Sequence, residues 1–456
     1  MNKNMKGNLK NIKGGSKNIK DSSTVNIGLI GLGYIGSEVF SLIQKQKDYI
    51  SKKIGKNLNI VAVAEANLSS KKDITGKYKD IKFTSNAYEV LENDRIDIIV
   101  ELIGGVDPAY DYIATALKKG KYVVTANKDL MAKRGSSLFE VAEKNNVDIL
   151  FEASVGGGIP IIGPLKSSLA SNNITKIVGI VNGTTNFILT RMKNDNLSFK
   201  DALKMAQGMG YAEANPESDI EGMDAANKLA ILASIAFNSR VKYEDVYREG
   251  IKKITSFDIT YADELGYAIK LLAIGSEQNG RINVRVHPAL IPKNHILASI
   301  RDTYNAIYFY GNYVGEIMSF GKGAGDKPTA SSVVGDIISI ARNYDRNNKR
   351  VIYGCTCFTN KSIIPFSETV NNFYILIDVV DKAGVLAKIA KVFGDNVVSI
   401  QSMIQKQIDI RNVARLIFIT HGVINKNLYK SIEEIKKLDV VKNILNIIRV
   451  EELDNN

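Results

Sequence analysis

The sequence predicts an α/β protein in three parts: a doubly wound parallel sheet, an α+β domain, and a small C-terminal ferredoxin-like unit. Three observations carry this. Apolar runs alternate with helical stretches over 25–158, which is the pattern of successive βα units. Over 159–358, alternating segments such as ITKIVGIV (174–181) and RINVRVHPALI (281–291) indicate a mostly antiparallel sheet interrupted by amphipathic helices. Over 372–452 the order is strand, helix, strand, strand, helix, strand. The polar stretch 359–371 (TNKSIIPFSETVN) reads as a linker, and no internal repeat is present.

Element by element, VNIGLIG (25–31) is a strand that ends in glycine and runs into a helix. Lys45 to Asn59 reads as a polar insertion before the second strand, IVAVAEA (60–66). IDIIVEL (96–102) and KYVVTA (121–126) are further strands. Between them PAYDYIATALKKG (108–120) is a helix, with Pro108 early and Gly120 as its stop. VDILFEASV (147–155) reads as one more strand. In the last unit FYILIDVVD, NVVSIQSMIQ, VARLIFITH and KNILNIIRVEE supply the four strands.

Composition excludes several classes. With 45% hydrophobic and 24% charged residues the chain is an ordinary globular one. No apolar run approaches the roughly 20 residues that span a bilayer, so no membrane partner is expected. Residues 1–24 hold six Lys and one Asp with almost no apolar side chains. They read as a disordered basic extension, and without an apolar core they are not a secretory signal. The remaining positive charge is mild and no basic motif is interleaved with aromatics, so no nucleic acid is expected. Cys355 and Cys357, the only cysteines, are too close for an ordinary disulfide and too few for a zinc site. They read as buried thiols in a strand, in a reducing, cytoplasmic setting.

Gly31-Leu32-Gly33-Tyr34-Ile35-Gly36 follows the first strand and opens a helix, the Rossmann dinucleotide-binding arrangement. Gly31 permits the tight turn, Gly33 lets backbone approach a pyrophosphate, and Gly36 lets helix and strand pack closely. The phosphates would lie on the helix N-terminus, beside Tyr34 and Ile35. Glu65 ends the second strand, where a carboxylate accepts hydrogen bonds from ribose hydroxyls and repels a 2′-phosphate. That favours NAD; Lys71 and Lys72, soon after, keep NADP open.

Two lysines stand out. Lys128 lies just past the C-terminal edge of a parallel strand, where open α/β sheets bind ligands. Lys228 lies in GMDAANKLAILA (222–233), an alanine-rich helix apolar enough to be buried, with Asp224 four residues before it on the same face. Taken singly, Lys128 is as well read as a surface lysine and the Asp224–Lys228 pair as a structural ion pair. The upstream run GYAEANPESD (210–219) adds Glu213 and Asp219, and acids that converge on a lysine can hold a substrate ammonium.

Five segments together are specific: VTANKDLMA (124–132), FEASVGGGIPII (151–162), GIVNGTTNFIL (179–189), GYAEANPESDIEGMDAANKLAILA (210–233) and GKGAGDKPTASSVVGD (321–336). On these the chain resembles homoserine dehydrogenase over roughly 25–345. The resemblance implies reversible interconversion of L-homoserine and L-aspartate 4-semialdehyde with NAD or NADP, in threonine and methionine biosynthesis. It implies a catalytic role for Lys228, with Lys128 near cofactor and substrate. It also implies substrate binding by Glu213, Asp219 and Asp224, and cofactor contacts at Gly210 and Gly325. Glu152, Val155, Gly157 and Ile159 match positions that hold a monovalent cation such as Na+. The chain is expected to return to the dinucleotide-binding domain near 321–345, and the 159–358 domain to support a homodimer or homotetramer.

Beyond the linker, VVDKAGVLAKI (379–389) and VSIQSMIQ (398–405) resemble an ACT domain. Its strand-to-helix turn would place Asp381, Gly384, Val385 and Leu386 against a regulatory amino acid, and the family's pathway implies threonine. Ala383 replaces the proline usual in that turn. A purely dimerising unit is the alternative. A semialdehyde dehydrogenase is disfavoured because it needs a mid-chain cysteine, and a non-catalytic sensor because Lys128, Glu213, Asp224 and Lys228 are all present.

Overall fold

A computed structural model describes residues 23–407 and 412–453. All but the last two residues of the expected basic extension 1–24 lie outside the described residues, and Thr24 already belongs to the first strand. The first unit runs β1 (Thr24–Ile30), α1 (Tyr34–Lys45), α2 (Lys47–Ile54), β2 (Asn57–Ala64), α3 (Lys72–Thr75), β3 (Lys82–Thr84), α4 (Ala87–Leu91) and β4 (Ile98–Glu101). It continues through α5 (Asp107–Lys118), β5 (Tyr122–Thr125), α6 (Lys128–Lys144) and β6 (Ile149–Leu150). The sheet is parallel, in the order β3-β2-β1-β4-β5-β6. The chain starts at β1 and leaves in opposite directions on its two sides, which opens a crevice above the carboxyl ends of β1 and β4.

One expectation changes here. The polar insertion after Lys45 forms α2, with Ile50 buried and Gly55 closing the helix at φ 72°, and its last residues from Asn57 belong to β2. The strand expected at 147–155 is cut to Ile149–Leu150, and Glu152–Ser154 turn into a 3-10 helix. The continuous apolar run reflects burial in both conformations, so it could not show where the strand stops.

The second unit contains α7 (Ile162–Lys166), β7 (Ile174–Ile180), α8 (Gly183–Asn194), α9 (Phe199–Gly208), α10 (Glu217–Ile220) and α11 (Met223–Ala236). Then come β8 (Tyr247–Arg248), α12 (Ser256–Glu264), β9 (Tyr267–Gln278), β10 (Arg281–Pro292), β11 (Tyr304–Gly311), β12 (Gly315–Lys322) and α13 (Asp326–Asn343). β12-β11-β7-β9-β10 form an antiparallel sheet. α11 is buried almost all round, as its composition requires. The segment after α13 is tied to the first unit: the Tyr344 hydroxyl donates to Asp97 at 2.6 Å, and the Tyr122 hydroxyl donates to the Arg350 carbonyl at 2.8 Å.

The stretch read as a linker is partly structured, since β13 (Ser362–Ile363) pairs with β10. The last unit is β14 (Val370–Val380), α14 (Val385–Asp395), β15 (Ile400–Gln407), β16 (Val413–Thr420), β17 (Val423–Ile424), α15 (Asn425–Ile435) and β18 (Val441–Val450). Its main strands run β18-β14-β16-β15, and its own core includes Phe373, Phe393 and Phe418. Two parallel register pairs, Ala289–Arg449 and Leu290–Val450, join β10 to β18 and make one sheet of the second and third units. Buried ion pairs clamp that seam. Arg449 donates to both Glu249 oxygens at 2.8 and 3.0 Å, and Arg285 donates to both Glu451 oxygens at 2.8 and 3.0 Å.

Cys355 and Cys357 are neither buried nor in a strand: Cys355 is exposed, Cys357 half-buried, and both are free thiols in irregular chain. Among the described residues no helix is long and apolar enough to cross a membrane.

Candidate functional site

The glycine loop sits over the crevice. Gly31 adopts φ 95°, and its N–H donates to the Ala64 carbonyl at 2.8 Å. Gly33 precedes α1 with open space around its Cα, the clearance a pyrophosphate needs. A Cβ on Gly36 would fall 2.1 Å from the Gly31 carbonyl oxygen, so only glycine lets α1 approach the loop this closely. Tyr34 is exposed beside it, and Ile35 faces the cleft below. Glu65 accepts the Leu32 N–H at 2.6 Å and the Asn67 N–H at 3.0 Å. Its carboxylate is therefore fixed at the edge of the dinucleotide loop. This cradle fits a nicotinamide dinucleotide.

Below the loop lies a cleft of about 710 Å³ between the first two units. β5 ends at its rim, and the Asn127 side chain starts α6 by accepting the Leu130 N–H at 3.1 Å. The same side chain donates to the Gly105 carbonyl at 2.6 Å. Fully buried Glu101 accepts the Thr125 hydroxyl at 2.7 Å and the Ile103 N–H at 2.8 Å, which fixes the two loops against each other. Lys128, the first residue of α6, is thereby aimed into the cleft.

From the other wall α11 presents Asp224 and Lys228. Lys228 Nζ donates to Asp224 Oδ2 at 2.7 Å and to the Val181 carbonyl at 2.8 Å. Lys128 Nζ lies 3.2 Å from Asp224 Oδ1, so one carboxylate holds both lysines. Burial alone would raise the Asp224 carboxyl, but Lys228 and Lys128 outweigh it and hold it at about 2. Burial would likewise lower the Lys128 ammonium, and Asp224 and Asp129 reverse that. Asp219 moves upward because burial outweighs the hydrogen bond from Asn182.

Glu213 stands exposed on the rim, and Gly210 (φ 74°) and Gly325 (φ 112°) line the same cleft. The structure thus brings Lys128, Lys228, Asp224, Asp219, Glu213, Gly210 and Gly325 to one cavity beneath the loop that carries Ile35.

Glu152, expected to contribute a carboxylate to a cation, is engaged elsewhere. Its oxygens accept the N–H groups of Ile161 at 2.5 Å, Ile162 at 2.7 Å and Gly163 at 2.7 Å, capping α7. Val155, Gly157 and Ile159 follow in the adjacent turn, where a Cβ on Gly157 would meet the Gly323 carbonyl oxygen at 2.5 Å. These three bonds leave one lone-pair position on the carboxylate open. Asp381, Gly384 and Leu386 lie exposed on the last unit's first turn, while Val385 is buried in its core and can offer a ligand only backbone.

Sequence reasoning missed the groups that organise the site. Asn182 accepts the Thr185 N–H at 2.9 Å to start α8, and its amide nitrogen donates to Asp219 at 2.7 Å and Asp224 at 2.9 Å. An Asn before Gly-Thr-Thr is a legible helix start, but its bonds to two distant acids are not. Asn305 is 1% exposed at the cleft wall against Gly323, and neither of its amide atoms has a hydrogen-bond partner.

Comparison with known proteins agrees with this geometry. A family model described as homoserine dehydrogenase matches residues 160–338. The NAD binding domain model of homoserine dehydrogenase matches 31–152, and the ACT domain model matches 373–440. The homoserine dehydrogenase of Corynebacterium glutamicum is 42% identical over 434 residues, covering 94% of this chain and 96% of that one. That of Neisseria gonorrhoeae is 38% identical and covers 94% and 99%. Among solved structures, a homoserine dehydrogenase from Thiobacillus denitrificans superposes with a TM-score of 0.88 at 38% identity, covering 94% and 99%. A hyperthermophilic archaeal homoserine dehydrogenase in complex with NADPH superposes with a TM-score of 0.60 at 28% identity, covering 72% and 100%.

Proposed function

The chain belongs to the homoserine dehydrogenase family, oxidoreductases of the CH–OH group, and from that premise we propose how its cleft interconverts L-homoserine and L-aspartate 4-semialdehyde. The observation that carries the reading is Asp224, one buried carboxylate holding Lys228 and Lys128 side by side below the dinucleotide loop. Bound nicotinamide dinucleotide supplies the hydride chemistry. Glu213 and Asp219 receive the substrate ammonium. Lys228 donates a proton to the developing alkoxide in the reductive direction and takes it back in oxidation. Lys128 offsets the negative charge on that oxygen. Asp224 positions both ammonium groups.

Glu65 favours NAD, because its fixed carboxylate accepts ribose hydroxyls and repels a 2′-phosphate. Threonine acts as an inhibitor through the turn Asp381–Leu386, with the chain assembled as a homodimer or homotetramer. Glu152, Val155, Gly157 and Ile159 hold a monovalent cation such as Na+.

The test is an absorbance assay at the reduced-nicotinamide band with L-homoserine and NAD or NADP, each with and without threonine. Homoserine-dependent reduction, faster with NAD and suppressed by threonine, is the expected result. A folded protein with no turnover on either cofactor overturns the catalytic reading. Faster turnover with NADP overturns the role given to Glu65, and indifference to threonine overturns the regulatory one.

A further inference from the structure

Beside the C-terminal half of α11, outside the cleft, two cations converge on the cysteine pair. The Asp148 carboxylate anchors this segment. Its Oδ2 accepts the N–H groups of Ile352 at 3.0 Å, Tyr353 at 2.7 Å and Gly354 at 2.9 Å, and its Oδ1 accepts that of Ile149 at 2.8 Å. Cys355, the next residue, is therefore held in place although it is exposed. Arg240 Nη2 lies 3.6 Å from its sulfur. Lys166 Nζ donates to the Gly354 carbonyl at 2.7 Å and sits over the Phe139 and Phe151 rings at 4.9 and 5.1 Å. Among the described residues neither Arg240 nor Lys166 forms an ion pair with a carboxylate. Asp148 and Asp336 act on Lys166 from a distance, and the Asp148 oxygens are committed to four backbone N–H groups. Burial pushes the Lys166 ammonium down, and the Cys355 sulfur, 3.6 Å from Arg240, is the group placed to carry a negative charge beside both. Cys357, whose sulfur lies 3.5 Å from the Ser234 carbonyl of α11, remains the protonated neighbour.

We propose that Cys355 is a nucleophilic thiolate and a modification site for low-molecular-weight disulfides. The thiolate attacks one sulfur of the disulfide, a protein–ligand S–S bond forms, the original S–S bond breaks, and the departing sulfur leaves as a thiolate. No outside oxidant is needed. The direction of titration agrees: a hydrogen bond from Cys357, with Arg240 and Lys166 nearby, holds the Cys355 thiol below the ordinary range, and Cys357 moves up. Exposure of Cys355 gives the ligand access.

The experiment treats the full-length protein with oxidised glutathione, and separately with iodoacetamide between pH 5.5 and 9.5. Adducts are followed by intact mass and peptide mapping. The expected result is one glutathionyl group, on Cys355, and an alkylation rate nearly level above about pH 7. An unperturbed thiol instead gains about tenfold per pH unit up to its pKa near 8.5. Arg240→Gln is expected to slow alkylation several-fold at pH 6.5 and not at pH 9.5. Adducts on Cys357 alone, no adduct, or a Cys355 rate that climbs like free glutathione would overturn the proposal. The wild-type pH profile decides even where the variant does not fold.

Discussion

Lys128 and Lys228, from opposite walls of the cleft, are bound to the two oxygens of a single carboxylate: Lys228 lies 2.7 Å from Asp224 Oδ2, and Lys128 lies 3.2 Å from Asp224 Oδ1. Two ammonium groups repel, and a 5% exposed carboxylate between them turns that repulsion into a stable pair. The two ammonium groups differ in environment. Lys228 is the less exposed, with a side chain at 12% against 35% for Lys128.

Lys228→Ala is expected to lower kcat by about 10²–10⁴-fold, the usual contribution of a positioned acid–base group. Dinucleotide affinity, read by fluorescence titration, should stay within about twofold. Lys128→Ala should cost less in kcat. Near-normal turnover in Lys228→Ala alongside a collapse in Lys128→Ala would transfer the proton to the other lysine.

Asn182→Ala removes the amide that separates Asp219 from Asp224 and the cap of α8. Loss of the cap alone is worth about 0.5–2 kcal/mol, measurable by urea unfolding. The two acids then face each other without a donor between them, so KM for homoserine should rise several-fold. An unchanged KM would leave Asn182 with a capping role only.

Gly36→Ala places a Cβ 2.1 Å from the Gly31 carbonyl oxygen, which α1 can relieve only by moving off the loop. Overpacking of this kind costs about 1–3 kcal/mol. The expected readout is at least a tenfold weaker dinucleotide affinity with homoserine affinity little changed.

Acid should loosen the seam between the second and third units. Burial would raise the Glu451 carboxyl, but Arg285 and His287 outweigh it and hold it at about 2. A folded pKa below the unfolded value near 4.3 means a contribution complete above that value and lost as pH falls towards 2. Glu451→Gln leaves Arg285 without its carboxylate and should cost about 3–5 kcal/mol at pH 7, as breaking buried pairs does. In melts from pH 6 to pH 2.5 the gap between wild type and variant should narrow. A constant gap would show that the pair does not titrate with folding.

Much of the fold was legible. The strand–glycine–helix opening, the βα alternation and the final βαββαβ order all follow from period and punctuation, which are local properties. The Asp224–Lys228 pair was legible for the same reason, since four residues on a helix return to one face. Glu65 was read as the acidic end of the second strand, but its hydrogen bond to Leu32 N–H depends on β2 lying beside β1. Local pattern failed where burial hides conformation: the apolar run through Leu150 and Phe151 concealed the end of β6.

The order of units, the dinucleotide loop and the Asp224–Lys228 pair on one helix face all follow from hydrophobic period, glycine spacing and capping, which act over a few residues. What those groups meet depends on how the chain folds. Folding brought Lys128 to Asp224, set Asn182 between two acids, and gave the Glu152 carboxylate to α7. It joined β10 to β18 through Arg449 and Arg285, and left Cys355 exposed between Arg240 and Lys166. These pairings link residues far apart in the chain. They are chosen by which buried charge or polar group must be satisfied once the sheets close, a demand that no short stretch of sequence contains.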